Sequence, residues 1–530
     1  MRALKSSWTL LAAVLALRAA GFAFGVLNID ESDFLVFGAG LWKGLLPYRD
    51  LVEIKPPLGY LTYALAGGIS IWPIRVLGVL WVFATAQVLR ATARTWTGSD
   101  EAGWAAAWLS LLAGLVEVPS FGSELMMGLP TALALLFFAR GNRAAQPLRG
   151  LGVPQQIPSA TRGLARGPTP FAWGNMLACG VCIGLASLYR HQGAIAAVAL
   201  GLALLWEARR EPARSLLQMA VLALGTVLPW GAAAGAWAAL GQLDQFAEWT
   251  IWRNLAYAGQ SSALLRGAWV TVVCLAAAVL PWVLAARESF RPRPREDVVW
   301  RGLSLLLWLT WLPVCLGGRF YEHYFLQFVP PLAVLGAPGA AKLAAGWPLH
   351  SKRLRIRIAI ACLLPVLINQ GLVWVRGALG TWPAQEPRTL EVAHWLRNHS
   401  APEERLFVWG HYTPIYTLAD RLPGTRYVNT SVHMGNYDPT NLPADFDAHR
   451  FRSDSDVAST LRDLEARRPA LFVDTAPADI HGWAKVPLSA FPQLQSYVDL
   501  HYVEIARPGG AVVYRRRGTA DPIASSTRAN

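Results

Sequence analysis

Long apolar runs recur along most of this chain, and they restrict its fold more than any other feature. A helix of about 20 apolar residues is long enough to cross the hydrocarbon core of a bilayer, and such runs follow one another until about residue 376. Hydrophobic residues make up 54% of the 530-residue chain, a larger share than in typical soluble domains. The sequence therefore predicts an α-helical polytopic membrane protein with about eleven spans. We place these spans near residues 7–28, 70–93, 102–118, 124–140, 172–188, 191–208, 215–238, 267–286, 299–316, 324–345 and 357–376.

The charges in the short loops predict how these spans are oriented. If the N-terminus lies inside, every inner loop carries arginine or lysine, and such an excess marks the cytoplasmic side. We therefore predict a multi-pass protein of the inner (plasma) membrane with a cytoplasmic N-terminus and an extracytoplasmic C-terminal part. The Gly-, Pro- and Arg-rich segment 143–170 is expected to be a mobile cytoplasmic loop. Because topology accounts for the formal charge of +14, the charge does not indicate nucleic-acid binding.

A charged segment, residues 30–57, follows the first apolar run directly and falls on the predicted outer face, where we predict that it forms a loop that takes part in catalysis. Only 15% of the chain is charged, yet this segment holds five acids and three bases, which is more than a simple connection needs. A carboxylate at this position can act as a general base. The alternative is an acid that only keeps the end of the helix in contact with water. The acids are Asp30, Glu31, Asp33, Asp50 and Glu53, and the bases are Lys43, Arg49 and Lys55.

Lys55 stands immediately before Pro56 and Pro57. Proline restricts the preceding residue to extended conformations, so the backbone that carries the Lys55 ammonium is stiff. Lysine binds phosphate as a point charge, and we predict that role here. The alternative is a lysine that only extends its head group to the membrane surface.

Further polar clusters fall on the same predicted face. Arg319 is suited to bidentate phosphate binding, and His323 to holding a proton or a phosphate. Arg190 interrupts two apolar runs, and Arg253 lies on a predicted surface helix, 245–257. We predict that both also bind phosphate. Each could be a simple anchor, but their convergence on one face favours a common substrate cavity. We assign to the same cavity Asp50, Glu53, Glu124, His191, Gln192, Asn254, Tyr257, Tyr321 and Glu322.

The composition changes after about residue 380, so we divide the chain into a transmembrane domain (1–379), an extracytoplasmic domain (380–517) and a disordered tail (518–530). Strands alternate with helices in the second of these, which predicts a small α/β domain. The predicted strands are 405–409, 469–474, 502–506 and 511–515, and the predicted helices are 391–397 and 457–466.

The five cysteines lie within or beside apolar runs, so we expect buried thiols and no disulfide framework. Metal ligation through Asp30, Glu31, Glu53 and His323 is the alternative use of the acidic cluster. The sequence has no dense metal-ligand motif, and we expect neither a metal nor another cofactor.

Several motifs together resemble the GT-C class of bacterial membrane glycosyltransferases. They are Asp30-Glu31, the run 44–50, Lys55-Pro56-Pro57-Leu58 and the segment 318–327. The similar families include the protein O-mannosyltransferases of glycosyltransferase family 39, the aminoarabinose transferase that modifies lipid A, and the Rgt-type sugar transferases. The resemblance covers about residues 8–340.

This resemblance implies a sugar donor carried on a polyprenyl phosphate and a reaction at the outer membrane face. Asp30 would deprotonate the acceptor hydroxyl, Glu31 would be its neighbour in the catalytic pair, and Lys55 would bind the donor phosphate. Relatives often have a Lys-Gln pair where this chain has Arg190, His191 and Gln192, so Arg190 is a departure from the pattern.

The chemistry of the residues agrees with a sugar transfer. Such a transfer needs a deprotonated hydroxyl on one side and a stabilised phosphate leaving group on the other. A single base without a second nucleophile predicts inversion at the sugar carbon. The sequence leaves open the sugar, hexosyl or pentosyl, and the acceptor, a lipid, glycan or protein. A transporter or flippase for lipid-linked saccharides, or a polymerase or ligase acting on them, is the alternative.

Overall fold

A computed structural model describes residues 3–68, 70–116, 119–143, 170–258, 264–294, 296–316, 318–347, 350–435 and 446–519. The predicted cytoplasmic loop lies almost wholly outside these residues, as does most of the predicted disordered tail.

The first part of the chain is helical. A π-helical turn, Glu248–Trp252, joins the tenth and eleventh α-helices. The helices are α1 (Ser7–Phe24), α2 (Ile29–Trp42), α3 (Leu58–Leu65), α4 (Ile71–Thr97), α5 (Asp100–Ala113), α6 (Ser123–Arg143), α7 (Pro170–Tyr189), α8 (Ile195–Glu207), α9 (Pro212–Ala239), α10 (Leu243–Ala247), α11 (Arg253–Ala258), α12 (Leu264–Ala277), α13 (Val279–Ser289), α14 (Val298–Leu309), α15 (Trp311–Leu316), α16 (Val329–Ala345) and α17 (Lys352–Ala378).

Each of the eleven predicted spans coincides with helical structure. Within the described ranges, seven helical segments are long and apolar enough to cross a membrane, and α12 with α13 form an eighth that is bent by 90°. The other three predicted spans coincide with α7 and α8, which are shorter apolar helices over their described residues, and with the 14-residue helix α5. The polytopic helical fold class is therefore confirmed.

Glycines allow two of these helices, α7 and α9, to touch backbone to backbone. A Cβ atom added to Gly180 would lie 2.3 Å from the carbonyl oxygen of Leu222 and 2.9 Å from the Cα of Gly225. Small residues at helix interfaces commonly permit such close approach in membranes, where dispersion contacts replace the hydrophobic effect.

The charged segment 30–57 is partly helical, contrary to the expected loop. Helix α1 ends at Phe24, and α2 begins after Asn28, whose side chain accepts a hydrogen bond of 2.9 Å from the backbone N–H of Asp30. This is an N-cap, which stabilises a helix start. The helix is buried on several faces, since the four consecutive residues Phe34, Leu35, Val36 and Phe37 are all buried. Because its apolar residues do not follow one face, the sequence shows no amphipathic period there.

The C-terminal domain has the predicted α/β composition. Strands β1 (Leu406–Trp409) and β2 (Leu471–Asp474) are parallel. Strand β4 (Val512–Arg516) runs antiparallel to β2 and to β3 (Tyr502–Ala506), in the sheet order β1-β2-β4-β3. All four predicted strands and both predicted helices are present. The elements are α18 (Pro387–Asn398), β1 (Leu406–Trp409), α19 (Pro414–Ala419), α20 (Ala448–Phe451), α21 (Asp454–Arg467), β2 (Leu471–Asp474), α22 (Pro492–His501), β3 (Tyr502–Ala506) and β4 (Val512–Arg516).

The two parts of the chain share a hydrophobic core. Phe37 of α2 and Tyr48 of the following loop belong to the same buried cluster as Val392, Tyr416 and Val428 of the C-terminal domain. The C-terminal domain therefore packs directly against the charged segment.

Candidate active site

Lys55 lies at the centre of a cluster of carboxylates. Its Nζ is 3.2 Å from Asp33 Oδ2, 3.3 Å from Asp30 Oδ1 and 3.8 Å from Glu53 Oε1. Asp30 and Asp33 are one turn apart on α2, so their side chains share a face of the helix. Lys55 is therefore a counter-ion of these three carboxylates. One of them is Asp30, the acid that the sequence predicts to be the catalytic base.

The loop that carries Lys55 is fixed by hydrogen bonds to its backbone carbonyls. The Tyr48 hydroxyl donates to the carbonyl oxygen of Lys55 at 2.8 Å, and Asn254 Nδ2 donates to that of Ile54 at 2.5 Å. Asn254, predicted to line the substrate cavity, therefore holds the loop from the side of α11.

Asp30 and Asp33 differ in how much of their side chains is exposed to solvent. About a quarter of the Asp30 side chain is exposed (25%), against 5% for Asp33. Burial alone would raise the pKa of Asp30, but the charges of Lys55, His323 and Arg190 outweigh it and lower that pKa to about 2. Burial raises the pKa of Asp33 to about 7 despite the opposing charge of Lys55. At neutral pH, Asp30 is therefore ionised and accessible, whereas Asp33 titrates in the interior.

A second charged group lies beside Asp30 and is assembled from three distant elements. Glu124 begins α6 with Ser123, Arg190 follows α7, and His323 precedes α16. Glu124 Oε1 is 3.2 Å from Arg190 Nε and 3.8 Å from His323 Nε2. Arg190 also donates to the hydroxyl of Tyr324 at 3.1 Å. The structure thus joins three sequence-predicted residues into one cluster that acts electrostatically on Asp30.

Glu31 points away from this cluster into the protein. It is fully buried and forms a two-pronged ion pair with Arg75 of α4, one contact of which is 2.8 Å. Its carboxylate also accepts the backbone N–H groups of Leu27 at 2.9 Å and Phe121 at 2.8 Å. We interpret Glu31 as an anchor of α2, which differs from the catalytic role that the resemblance implied.

Two other predicted residues face the C-terminal domain. Arg253 donates from Nη1 and Nη2 to Asp456 at 3.0 Å each, an arrangement typical of strong bidentate pairing. Asp50 is 3.6 Å from Arg467 and also pairs with Arg49. The structure therefore places Arg253 at the interface with the C-terminal domain, where it pairs with Asp456; its phosphate binding stays a prediction.

The remaining predicted residues after α7 lie near the site. His191 packs against Trp230 with ring centres 5.4 Å apart and the ring planes tilted by 32°. Gln192 donates to the carbonyl oxygen of Pro313 at 3.2 Å and accepts from Gln327 at 2.8 Å. These contacts fix the hairpin between α7 and α8.

The segment before α16 contains Arg319, Tyr321, Glu322 and His323, which the sequence assigns to one substrate cavity. Tyr321 stacks on His323, with ring centres 5.4 Å apart, while Arg319 is buried and Glu322 is exposed. The side chain of Tyr257 lies outside the described residues.

Sequence reasoning missed four residues of the site. Asp33 was noted as an acid but not assigned, because its spacing from Asp30 has meaning only on a helix. Ser123 and Tyr324 were missed although both are neighbours of assigned residues. Asn429 donates to Glu53 Oε2 at 2.9 Å across 376 positions of sequence, and no local pattern marks it.

Metal ligation is the alternative use that the sequence offers for these acids. Within the part of the chain that the structure describes, no group of three or more His, Cys, Asp and Glu side chains is arranged to hold a metal ion. All five cysteines are free thiols.

Comparison with known proteins supports the fold. No protein-family model matches the sequence, and no curated protein matches it either. Among solved structures, ArnT from Cupriavidus metallidurans bound to undecaprenyl phosphate matches with a TM-score of 0.58 and 15% identity, over 96% of this chain and 98% of that one. The archaeal oligosaccharyltransferase AglB from Archaeoglobus fulgidus, in complex with an inhibitory peptide and a dolichol-phosphate, matches with a TM-score of 0.53 and 13% identity, over 98% of this chain and 75% of that one. The chain therefore has the GT-C fold of these polytopic membrane proteins along nearly its whole length.

Proposed function

We propose that this protein is an integral-membrane glycosyltransferase that moves a sugar from a polyprenyl-phosphate donor to an acceptor hydroxyl at the extracytoplasmic face. The observation that carries the proposal is Asp30, an accessible, ionised carboxylate beside three basic side chains. The fold supports it, because the similar structures of ArnT and AglB hold undecaprenyl phosphate and a dolichol-phosphate.

The proposed reaction is a single displacement. Asp30 takes the proton of the acceptor hydroxyl, and the acceptor oxygen forms a bond to the anomeric carbon of the sugar. The bond between that carbon and the phosphate oxygen breaks, and its electron pair leaves with the polyprenyl phosphate. One displacement inverts the configuration at the anomeric carbon.

The basic residues would stabilise the leaving phosphate. Lys55 lies 3.3 Å from Asp30, and the charges of Arg190 and His323 already act on Asp30. An anionic donor bound among these cations adds a negative charge that offsets their effect on Asp30 while Lys55 stays in place. The added charge raises the pKa of Asp30 from about 2, so donor binding makes Asp30 a better base.

An apolar cavity next to Glu124 offers room for the part of the donor's hydrocarbon chain that lies nearest its phosphate. It lies among α1, α4, α5, α6, α16 and α17, and its lining is mainly apolar. Glu124 lines the cavity and also belongs to the cluster of Arg190 and His323. A lipid held there would present its phosphate to that cluster.

The test is to compare the cell-envelope glycans of cells that lack the gene with those of complemented cells by mass spectrometry. We expect wild-type protein to restore a mass addition of one sugar, and Asp30→Asn to reduce its rate of formation by about a hundredfold or more. Asp100→Asn is the matched control, because Asp100 pairs with Arg90 on a partly exposed surface away from the site.

Both variants must insert at the wild-type level for the comparison to hold. Full complementation by Asp30→Asn would remove Asp30 as the base. Retained movement of lipid-linked sugar across the membrane without any transfer would favour the transporter.

A further inference from the structure

Asn429 of the C-terminal domain reaches the carboxylate cluster of the membrane domain. It is buried, and its Nδ2 donates to Glu53 Oε2 at 2.9 Å. Its own Oδ1 accepts a hydrogen bond of 2.7 Å from the Ser431 hydroxyl, which fixes the orientation of the amide. A neutral amide satisfies one oxygen of Glu53 without adding charge to a cluster that already contains three carboxylates.

Glu53 also contacts Lys55, so fixing the Glu53 carboxylate restricts where the Lys55 ammonium can lie. Its second oxygen, Oε1, accepts the backbone N–H of Ile54 at 3.0 Å and lies 3.8 Å from Lys55 Nζ. With one oxygen held by Asn429, the carboxylate cannot rotate without breaking a buried hydrogen bond. Lys55 Nζ in turn lies 3.3 Å from Asp30, so a continuous set of polar contacts runs from Asn429 to the proposed base.

The backbone beside Glu53 is attached to the same part of the C-terminal domain. The N–H of Val52 donates to the carbonyl oxygen of Arg426 at 2.8 Å, and Val52 forms a parallel β-bridge with Tyr427. The loop is therefore held at two adjacent residues, once through its backbone and once through the Glu53 side chain.

We propose that Asn429 is a positioning residue that holds Lys55 against Asp30 through Glu53, and that the extracytoplasmic domain thereby completes the active site. This inference rests on the proposed transferase function and extends it to a domain whose sequence suggested no catalytic part. Asn429 does not touch the reacting atoms in this scheme.

A double-mutant cycle tests the proposal, with initial transfer rates measured in membrane vesicles from complemented cells, which supply their own donor and acceptor. Asn429→Ala should lower the maximal rate about tenfold to a hundredfold, the effect of losing a buried hydrogen bond to a charged group. Binding of undecaprenyl phosphate should weaken as well, because Lys55 is one of the cations that would hold its phosphate. In a Glu53→Gln background, Asn429→Ala should slow transfer no further, because the residue through which it acts is already changed.

Thr417→Val is the matched control. The Thr417 hydroxyl lies 3.2 Å from that of Ser32, so the variant removes a different polar contact between the two domains and leaves Glu53 untouched. Its transfer rate should equal that of the wild type.

The outcomes distinguish failure of the positioning role of Asn429 from failure of the proposed transferase function. A wild-type rate in Asn429→Ala, or effects of Asn429→Ala and Glu53→Gln that multiply, would overturn the positioning role while leaving the transferase in place. If Asn429→Ala fails to insert into the membrane, the near-isosteric variant Asn429→Asp is measured in its place. A wild-type transfer rate in Asn429→Asp would also refute the proposal. Wild-type vesicles that transfer no sugar would refute the transferase, and the positioning role with it.

Discussion

Replacing Glu31 with glutamine removes one partner of the buried pair with Arg75, and the cost can be worked out from the contacts. Glu31 is 0% exposed and Arg75 is 1% exposed. Glutamine has one acceptor oxygen in place of two, so its NH₂ group must face a donor, either a nitrogen of Arg75 or one of the two backbone N–H groups. Removing one partner of a buried ion pair costs about 3 to 5 kcal/mol, a large fraction of the roughly 5 to 15 kcal/mol that stabilises a folded domain.

The assay is thermal denaturation of the purified full-length protein in detergent micelles, followed as the fraction that remains monodisperse. Glu31→Gln should denature at a clearly lower temperature than the wild type. Glu101→Gln is the control, because the ion pair of Glu101 with Lys5 is exposed at both ends and solvent replaces it. If Glu31→Gln kept the wild-type midpoint but lost sugar transfer, the anchoring role would be wrong and the catalytic role implied by the resemblance would stand.

Three further predictions follow from other contacts. Arg253→Lys cannot keep the two-pronged bond to Asp456, so we expect a loss of about 1 to 2 kcal/mol in thermal stability; a marked loss of undecaprenyl phosphate binding would instead return Arg253 to the phosphate site. Because burial raises the pKa of Asp33 from 3.8 to about 7, its favourable contribution to folding is complete below pH 3.8 and is lost as the pH rises through 7. Asp33→Asn should therefore be more stable than the wild type at pH 8 but not at pH 4, and equal melting differences at both pH values would contradict this. Gly180→Ala should destabilise the contact of α7 with α9, since the new Cβ would lie 2.3 Å from a carbonyl oxygen, whereas Gly174→Ala, with nothing within 4 Å, should not; equal melting temperatures would count against the close contact.

The membrane architecture could be read from the sequence because crossing a bilayer is a local property. A helix that satisfies its own backbone and carries apolar side chains meets the requirement within about 20 residues. Strands β1 to β4 were predicted for a similar reason, since short apolar segments bounded by turns need no distant information to be recognised. The orientation of the spans stays a prediction from the charges of the loops.

The charged segment shows where local reasoning stops. The sequence marked Asp30 and Lys55 as chemically important, but it assigned them separate roles as base and phosphate ligand. Helix α2 then places Asp33 beside Asp30, and the loop returns Lys55 to both. Since α2 is buried on several faces, no amphipathic period revealed the helix, and the one-turn spacing of the two aspartates could not be used.

What the sequence by itself determined is the set of spans, the strands of the C-terminal domain and the acid-rich segment at a membrane boundary. Only the tertiary structure decided which charges meet. Arg75 pairs with Glu31 from inside an apolar helix, Arg253 turns to Asp456, and Asn429 reaches Glu53 across 376 positions. The physical reason is that burial of a charge is tolerated only with a partner in place, and that partner is chosen by the packing of distant segments, which no local sequence pattern records.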